Sequence, residues 1–278
     1  MAFDIVDLRG FYSSGLGRSA RSIISTAIAA RWDHGVGLSV LGLGFAPPYL
    51  EPFVGHALRA LAFMPASQGV INWPSNGLSA TALVDTDALP LPDASIDRVL
   101  LVHSLEIAEH PRNLLDEIWR VLTPGGRIIA VVPSRSGLWA RSERTPFGQG
   151  QPYSGSQLRD LLRDTLFSPV HWEEMLYLPP FEKPFILSSA RTFEIIGRNL
   201  ALPFAGVHLV EATKQLYRPI LTRKTARNLM PRLQGALAQH HQPSRLKQPY
   251  SDSVIKLALP PAAATLTDTT CSHTKRRK

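Results

Sequence analysis

Several short runs along this chain are apolar almost without interruption, and the stretches between them repeat their apolar residues every three or four positions. The runs GLSVLGL (37–43), RVLLVHSL (98–105) and RIIAVVP (127–133) have the composition of strands covered on both faces. SATALVD (79–85), a run near 61–64, VHWEEMLYL (170–178) and GVHLVEATKQLY (206–217) read as further strands. Helical spacing appears over 19–32, where Ile23, Ile24, Ala27, Ile28 and Trp32 share a face. LEPFVGHALRALAF (50–63) reads as a helix that becomes regular after Pro52. PRNLLDEIWRVL (111–122) opens with a proline suited to the first helical position, carries Leu114, Leu115, Ile118, Val121 and Leu122 on one face, and is stopped by TPGG. Its other face offers an Asp116–Arg120 pair at i,i+4. Residues 153–167 form a helix with Ser154 and Gln157 at capping-box spacing, and 191–202 form another.

Strands alternating with helices at these intervals predict βαβ units. The expected fold class is α/β: a Rossmann-like, mainly parallel seven-stranded sheet with helices on both faces and an antiparallel edge strand. Three divisions follow: an N-terminal helical segment and lid over 1–36, a body over 37–221, and a tail over 222–278.

Composition changes this picture in one place. The formal charge of +8 is concentrated at the end of the chain. Residues 222–278 hold 11 Lys or Arg against Asp252 and Asp268, a net +9, which leaves −1 for the remainder. That tail is rich in Pro, Thr and Ala, lacks long apolar patterning, and is expected to be disordered. Nucleic acid is a partner only through this tail. A single cysteine, Cys271, excludes an internal disulfide framework and suits a reducing, cytoplasmic setting. No run is long and apolar enough to span a membrane, so no transmembrane segment is expected, and no metal is expected. The oligomeric state is not legible.

In an open parallel sheet, ligands bind at the carboxyl ends of the strands where the strand order reverses. Four pieces converge there: GLGF (42–45), the turn after the second strand, DTDALP (85–90) and HSLE (103–106). The stretch VDTDALPLPDASIDRVLLVHSLEIAEHPRNLLDEIWRVLTPGGRIIAVVP resembles the central half of a class I S-adenosylmethionine-dependent methyltransferase of the small-molecule and ubiquinone-biosynthesis type. The likeness extends from Gly37 to about Tyr217. It implies S-adenosylmethionine as cofactor and a small-molecule acceptor. Carried across position by position, it implies that the loop Gly42, Leu43, Gly44 and Phe45 contacts the cofactor, with Gly44 as the loop's first glycine. Asp87, Ala88 and Leu89 match the adenine contacts. His103, at the end of the fourth strand, faces the sulfonium and the acceptor and is the candidate catalytic base. Phe11 and Tyr12 are candidate lid residues, and RSERTPFGQGQPYS (141–154) is a candidate substrate-side loop.

The chain departs from the family pattern at the glycine loop. Gly42 stands where the family has an acid, Ala46 where it has a second glycine, and Pro47 and Pro48 follow without N–H donors. AFMPASQG (62–69) has no carboxylate for the ribose, so Ser67 or Gln68 would have to serve with neutral bonds. These changes give the alternative: a catalytically inactive protein of the same fold with a binding or regulatory role. A dinucleotide-dependent oxidoreductase is disfavoured because the third glycine of GLGFAP and the acid about 20 residues on are absent.

Overall fold

The computed structural model describes residues 4–200 and 202–217. The readings made for the tail over 222–278, including its contact with nucleic acid, lie outside the described residues.

Two helices precede the sheet: α1 (Ile5–Ser13) and α2 (Gly15–Ala29). Asp4 caps α1 by accepting from the N–H groups of Val6 and Asp7, and Ser14 caps α2 by accepting from Gly17. Then follow β1 (Ser39–Gly44), α3 (Pro47–Leu50), β2 (Arg59–Pro65), β3 (Thr81–Val84), β4 (Ile96–Val102), α4 (Pro111–Val121) and β5 (Leu122–Pro133). The chain continues through α5 (Gly155–Asp164), β6 (Phe167–Met175), α6 (Pro184–Ser188), α7 (Ala190–Asn199) and β7 (Val207–Lys214).

The seven strands lie in the order β3-β2-β1-β4-β5-β7-β6. Pairs among β3, β2, β1, β4 and β5 are parallel, and β7 runs antiparallel to both β5 and β6. The reversed strand is therefore inserted next to the edge, and β6 forms the edge itself. Alternation sends Val40, Leu100, Val102, Ile129 and Val131 to the face covered by α1, α2 and α3. Leu41, Leu43, Val99, Leu101, Ile128 and Ala130 go to the face covered by α4 and α5. Burial on both sides explains why the central strands read as unbroken apolar runs.

Two local expectations fail. The helix predicted over 50–63 does not form: α3 is a single turn, followed by a 3-10 turn over Glu51–Phe53. Pro47 and Pro48 fit the first helical positions, but Pro52 has no N–H to give the turn before it and its ring opposes a continuing helix. Arg120 does not pair with Asp116. It bonds Glu117 at 2.8 Å and Asp93 at 2.6 Å and caps the carbonyls of Leu89 and Leu91, so it ties the turn after β3 to α4. Glu117 completes the tie by accepting from the N–H of Leu89 at 2.9 Å.

One buried group makes stability depend on pH. His208 on β7 has no hydrogen-bond partner for either ring nitrogen among the described residues, and its ring packs 5.4 Å from that of Trp172. Burial lowers its pKa and outweighs Glu174, 3.5 Å away, and the backbone of Tyr153, which pull the other way. Just below the ordinary imidazole range the unfolded chain then binds more protons than the folded one, so stability falls as the solution is acidified. Thermal unfolding from about pH 7.5 to about pH 5.5 should show a falling midpoint that is flattened in His208→Leu. Equal slopes in the two proteins would remove His208 as the cause.

Candidate active site

The carboxyl ends of β1 and β4 meet where the sheet order reverses. Gly44 closes β1 with a φ of +83°, and a Cβ there would lie 2.3 Å from the carbonyl oxygen of Val102. Only glycine lets the two strand ends approach so closely. The N–H of Phe45 then donates to Val102 O at 2.8 Å. His103 follows β4 with a φ of +50°, a left-handed conformation uncommon outside glycine that commonly marks functional positions.

His103 is 3% exposed and anchors a buried chain of polar contacts. Tyr49 Oη donates to Tyr12 Oη at 2.9 Å, Tyr12 Oη lies 2.8 Å from His103 Nε2, and His103 Nδ1 lies 3.1 Å from Glu106 Oε1. The members come from α3, α1, the tip of β4 and the turn beyond it. Burial, then the neighbouring Tyr49, raises the pKa of the Tyr12 hydroxyl, and burial raises that of Tyr49, so both phenols keep the protons they donate.

An aromatic box surrounds this chain. Tyr12 stacks on Phe45 with ring centres 5.4 Å apart, and Phe147 stands 4.6 Å from the His103 ring. Phe11 meets Trp139 and Phe147 edge-on. Trp139 is fixed in turn by its Nε1–H bond to Leu178 O at 2.7 Å. The α1–α2 corner that delivers Tyr12 is tight: a Cβ on Gly17 would lie 2.0 Å from Phe11 O.

Three buried polar atoms at the ends of β2 and β4 have no hydrogen-bond partner among the described residues: Gln68 Oε1, Ser104 Oγ and Glu106 Oε2. Gln68 is held by its Nε2–H bond to His103 O at 3.2 Å. Buried, unpaired polar atoms are rare and need an explanation, and three around one histidine form a concentration of unmet bonding capacity.

Of the residues singled out from sequence, Gly44, Phe45 and His103 come together, with the lid residues Phe11 and Tyr12 against them. Phe147 places the loop over 141–154 at the same centre. Gly42 and Leu43 are built into the sheet: Gly42 backs onto Ala46 and Leu50, and Leu43 is buried on the α4 side. Asp87 and Ala88 are exposed, and Asp87 accepts from Asn113 Nδ2 at 3.2 Å. Leu89 is buried in the α4-side core. Sequence reasoning missed Tyr49 and Glu106. The His-x-x-Glu spacing within HSLE was the available sign for Glu106; Tyr49 had none, because only the tertiary fold brings it to Tyr12.

Comparison with known proteins agrees with this topology. The family described as Methyltransferase domain matches residues 64–130. The demethylmenaquinone methyltransferase of Deinococcus radiodurans is 32% identical over 126 residues, which are 44% of this chain and 51% of that protein. The chain thus spans about half the length of that relative. The demethylmenaquinone methyltransferase of Thermus thermophilus is 26% identical over 180 residues, 64% of this chain and 73% of that protein. Among solved structures, an S-adenosylmethionine-dependent methyltransferase from Thermotoga maritima superposes with a TM-score of 0.51 at 16% identity, covering 74% of this chain and 93% of that one, which speaks for the fold alone. The strand order, the segment over 64–130 and these relatives agree: the chain has the fold of class I S-adenosylmethionine-dependent methyltransferases, and its residues 64–130 match the Methyltransferase domain family.

Proposed function

We propose that this chain is an S-adenosylmethionine-dependent methyltransferase that acts on a small-molecule acceptor, with α1 as a lid latched over the cleft by Tyr12. The observation that carries this reading is His103: a buried imidazole at the reversal point of the sheet, ringed by three unpartnered polar atoms. The names of the two relatives support a small-molecule acceptor.

The residues fit the donor only with α1 lifted. As the chain stands, Tyr12 and Phe45 fill the ends of β1 and β4. Behind them, Gln68 Oε1 and Glu106 Oε2 are acceptors suited to ammonium or hydroxyl groups, and Ser104 Oγ can donate or accept. The glycine loop gives less than the family pattern provides, since the N–H of Phe45 is taken by Val102 O and Pro47 and Pro48 have none. Gln68, Ser104, Glu106 and the turn bearing Asp87, Ala88 and Leu89 therefore hold the donor in this reading. When bound, the donor supplies an electrophilic methyl carbon on a sulfonium that leaves as a neutral thioether. The chain aligns the acceptor, excludes water behind the aromatic box, and takes the acceptor's proton on His103.

Calorimetric titration with S-adenosylhomocysteine tests the reading. Saturable heat is expected. No heat at millimolar ligand places binding weaker than about −4 kcal/mol and ends the case.

A further inference from the structure

The polarity of the buried chain shows which nitrogen of His103 carries the proton. Tyr49 donates to Tyr12, so the hydrogen of Tyr12 is left for its other neighbour, His103 Nε2. Nε2 must then accept with its lone pair, and the ring proton stands on Nδ1, facing Glu106 Oε1 at 3.1 Å. An ionised carboxylate accepts and cannot donate. In the opposite tautomer, the Nδ1 lone pair would face carboxylate lone pairs, and Nε2–H would point at a phenol oxygen already receiving a hydrogen from Tyr49. Of the two neutral tautomers, beside an ionised Glu106, only the Nδ1–H form gives each of the three contacts one donor and one acceptor.

From this we infer that Glu106 is a positioning residue, which holds His103 in the Nδ1–H tautomer and so makes Nε2 a proton acceptor aimed at the place now taken by the Tyr12 hydroxyl. The role of Nε2 in turnover rests on the methyltransferase reading; the tautomer does not. Glu106 is held for this task from outside. Its carbonyl oxygen accepts from Gln151 N at 2.7 Å, and Gly150 packs so closely that a Cβ would lie 2.2 Å from that oxygen. The turn that carries the carboxylate is thereby fixed on the loop that brings Phe147.

The position of the Tyr12 hydroxyl also defines the acceptor by chemistry. It is an O–H group, in an aromatic box, giving its hydrogen to Nε2. A group that replaces it when α1 lifts is an O–H or N–H that must lose its proton to become a nucleophile. That proton passes to Nε2, the imidazole becomes imidazolium, and Nδ1–H stays on Glu106. An acceptor with no proton to lose, such as a thioether, makes no use of this arrangement.

Long-range proton–nitrogen correlation spectra of the ¹⁵N-labelled full chain, without ligand, read the tautomer directly. Wild type is expected to show a protonated Nδ1 and a bare Nε2 at His103. Tyr12→Phe should keep that form, because the carboxylate still accepts from Nδ1–H. Glu106→Gln should keep it as well, its amide carbonyl accepting from Nδ1–H, whereas the Tyr12→Phe/Glu106→Leu double variant, with neither partner left, should shift the proton to Nε2. Turnover of an O–H or N–H acceptor should fall on the order of 10²-fold in Glu106→Leu and recover in Glu106→Gln. A protonated Nε2 in wild type, or a proton still on Nδ1 in the Tyr12→Phe/Glu106→Leu double variant, overturns the assignment. Should the leucine variant fail to fold, the wild-type spectrum alone still decides. Absence of S-adenosylhomocysteine binding together with the expected tautomer would end the methyltransferase reading and leave the positioning role standing.

Discussion

Replacing Gly42 by aspartate is expected to destabilise the domain severely and not to create a donor contact. The family pattern has an acid at this position, so the substitution looks restorative on paper. The geometry forbids it: a Cβ at Gly42 would lie 2.6 Å from both Ala46 Cβ and Leu50 Cδ1, inside a fully buried strand. The change combines overpacking with an unpaired buried carboxylate and should lower stability by about 4 kcal/mol or more. Gly42→Ala, which adds the clash without the charge, should lie between, at about 1–3 kcal/mol. Urea unfolding of the three proteins gives the order directly. An aspartate variant with a wild-type midpoint and newly gained S-adenosylhomocysteine binding would show that α3 can move aside, and that the loop is a cofactor cradle after all.

Tyr12→Ala should make the protein less stable and a better binder of S-adenosylhomocysteine. The Tyr12 ring is packed against Phe45, Phe11 and Tyr49, and its hydroxyl serves both Tyr49 and His103. Truncating a buried aromatic side chain costs about 3–5 kcal/mol. The same contacts hold α1 closed, and a ligand that needs the lid lifted sees its affinity reduced by the fraction of molecules in the open state. Removing the latch should tighten binding at least tenfold, roughly 1.4 kcal/mol. Tyr12→Phe keeps the ring and loses only the hydroxyl contacts, so its gain should be smaller. Calorimetry below the unfolding temperature of each variant measures both. Weaker binding in Tyr12→Ala would mean that Tyr12 holds the donor, and would remove the latch.

The sequence by itself determined the layered α/β architecture. The period of the apolar residues is set by local geometry, two along a strand and 3.6 around a helix, so β1, β4, β5, α2, α4 and α5 could be read directly. It also determined that His103 stands at the end of a central strand and that the glycine loop departs from the family pattern. The helix expected over 50–63 gives way to short turns and then to β2 from Arg59, because pairing beside β1 in the sheet outweighs a local helical spacing. The pairing of Arg120 with Asp93 and Glu117 in place of Asp116 depended on where the turn after β3 folds back. Only the tertiary structure decided what lies over the strand ends. Tyr12 and His103 are 91 residues apart and Tyr12 and Tyr49 are 37, so no local pattern announces their hydrogen bonds. The same holds for the three unpartnered atoms of Gln68, Ser104 and Glu106: the chemistry of each side chain is in the sequence, but whether it finds a partner depends on which elements close around it, and that is fixed by long-range packing of α1 on the sheet.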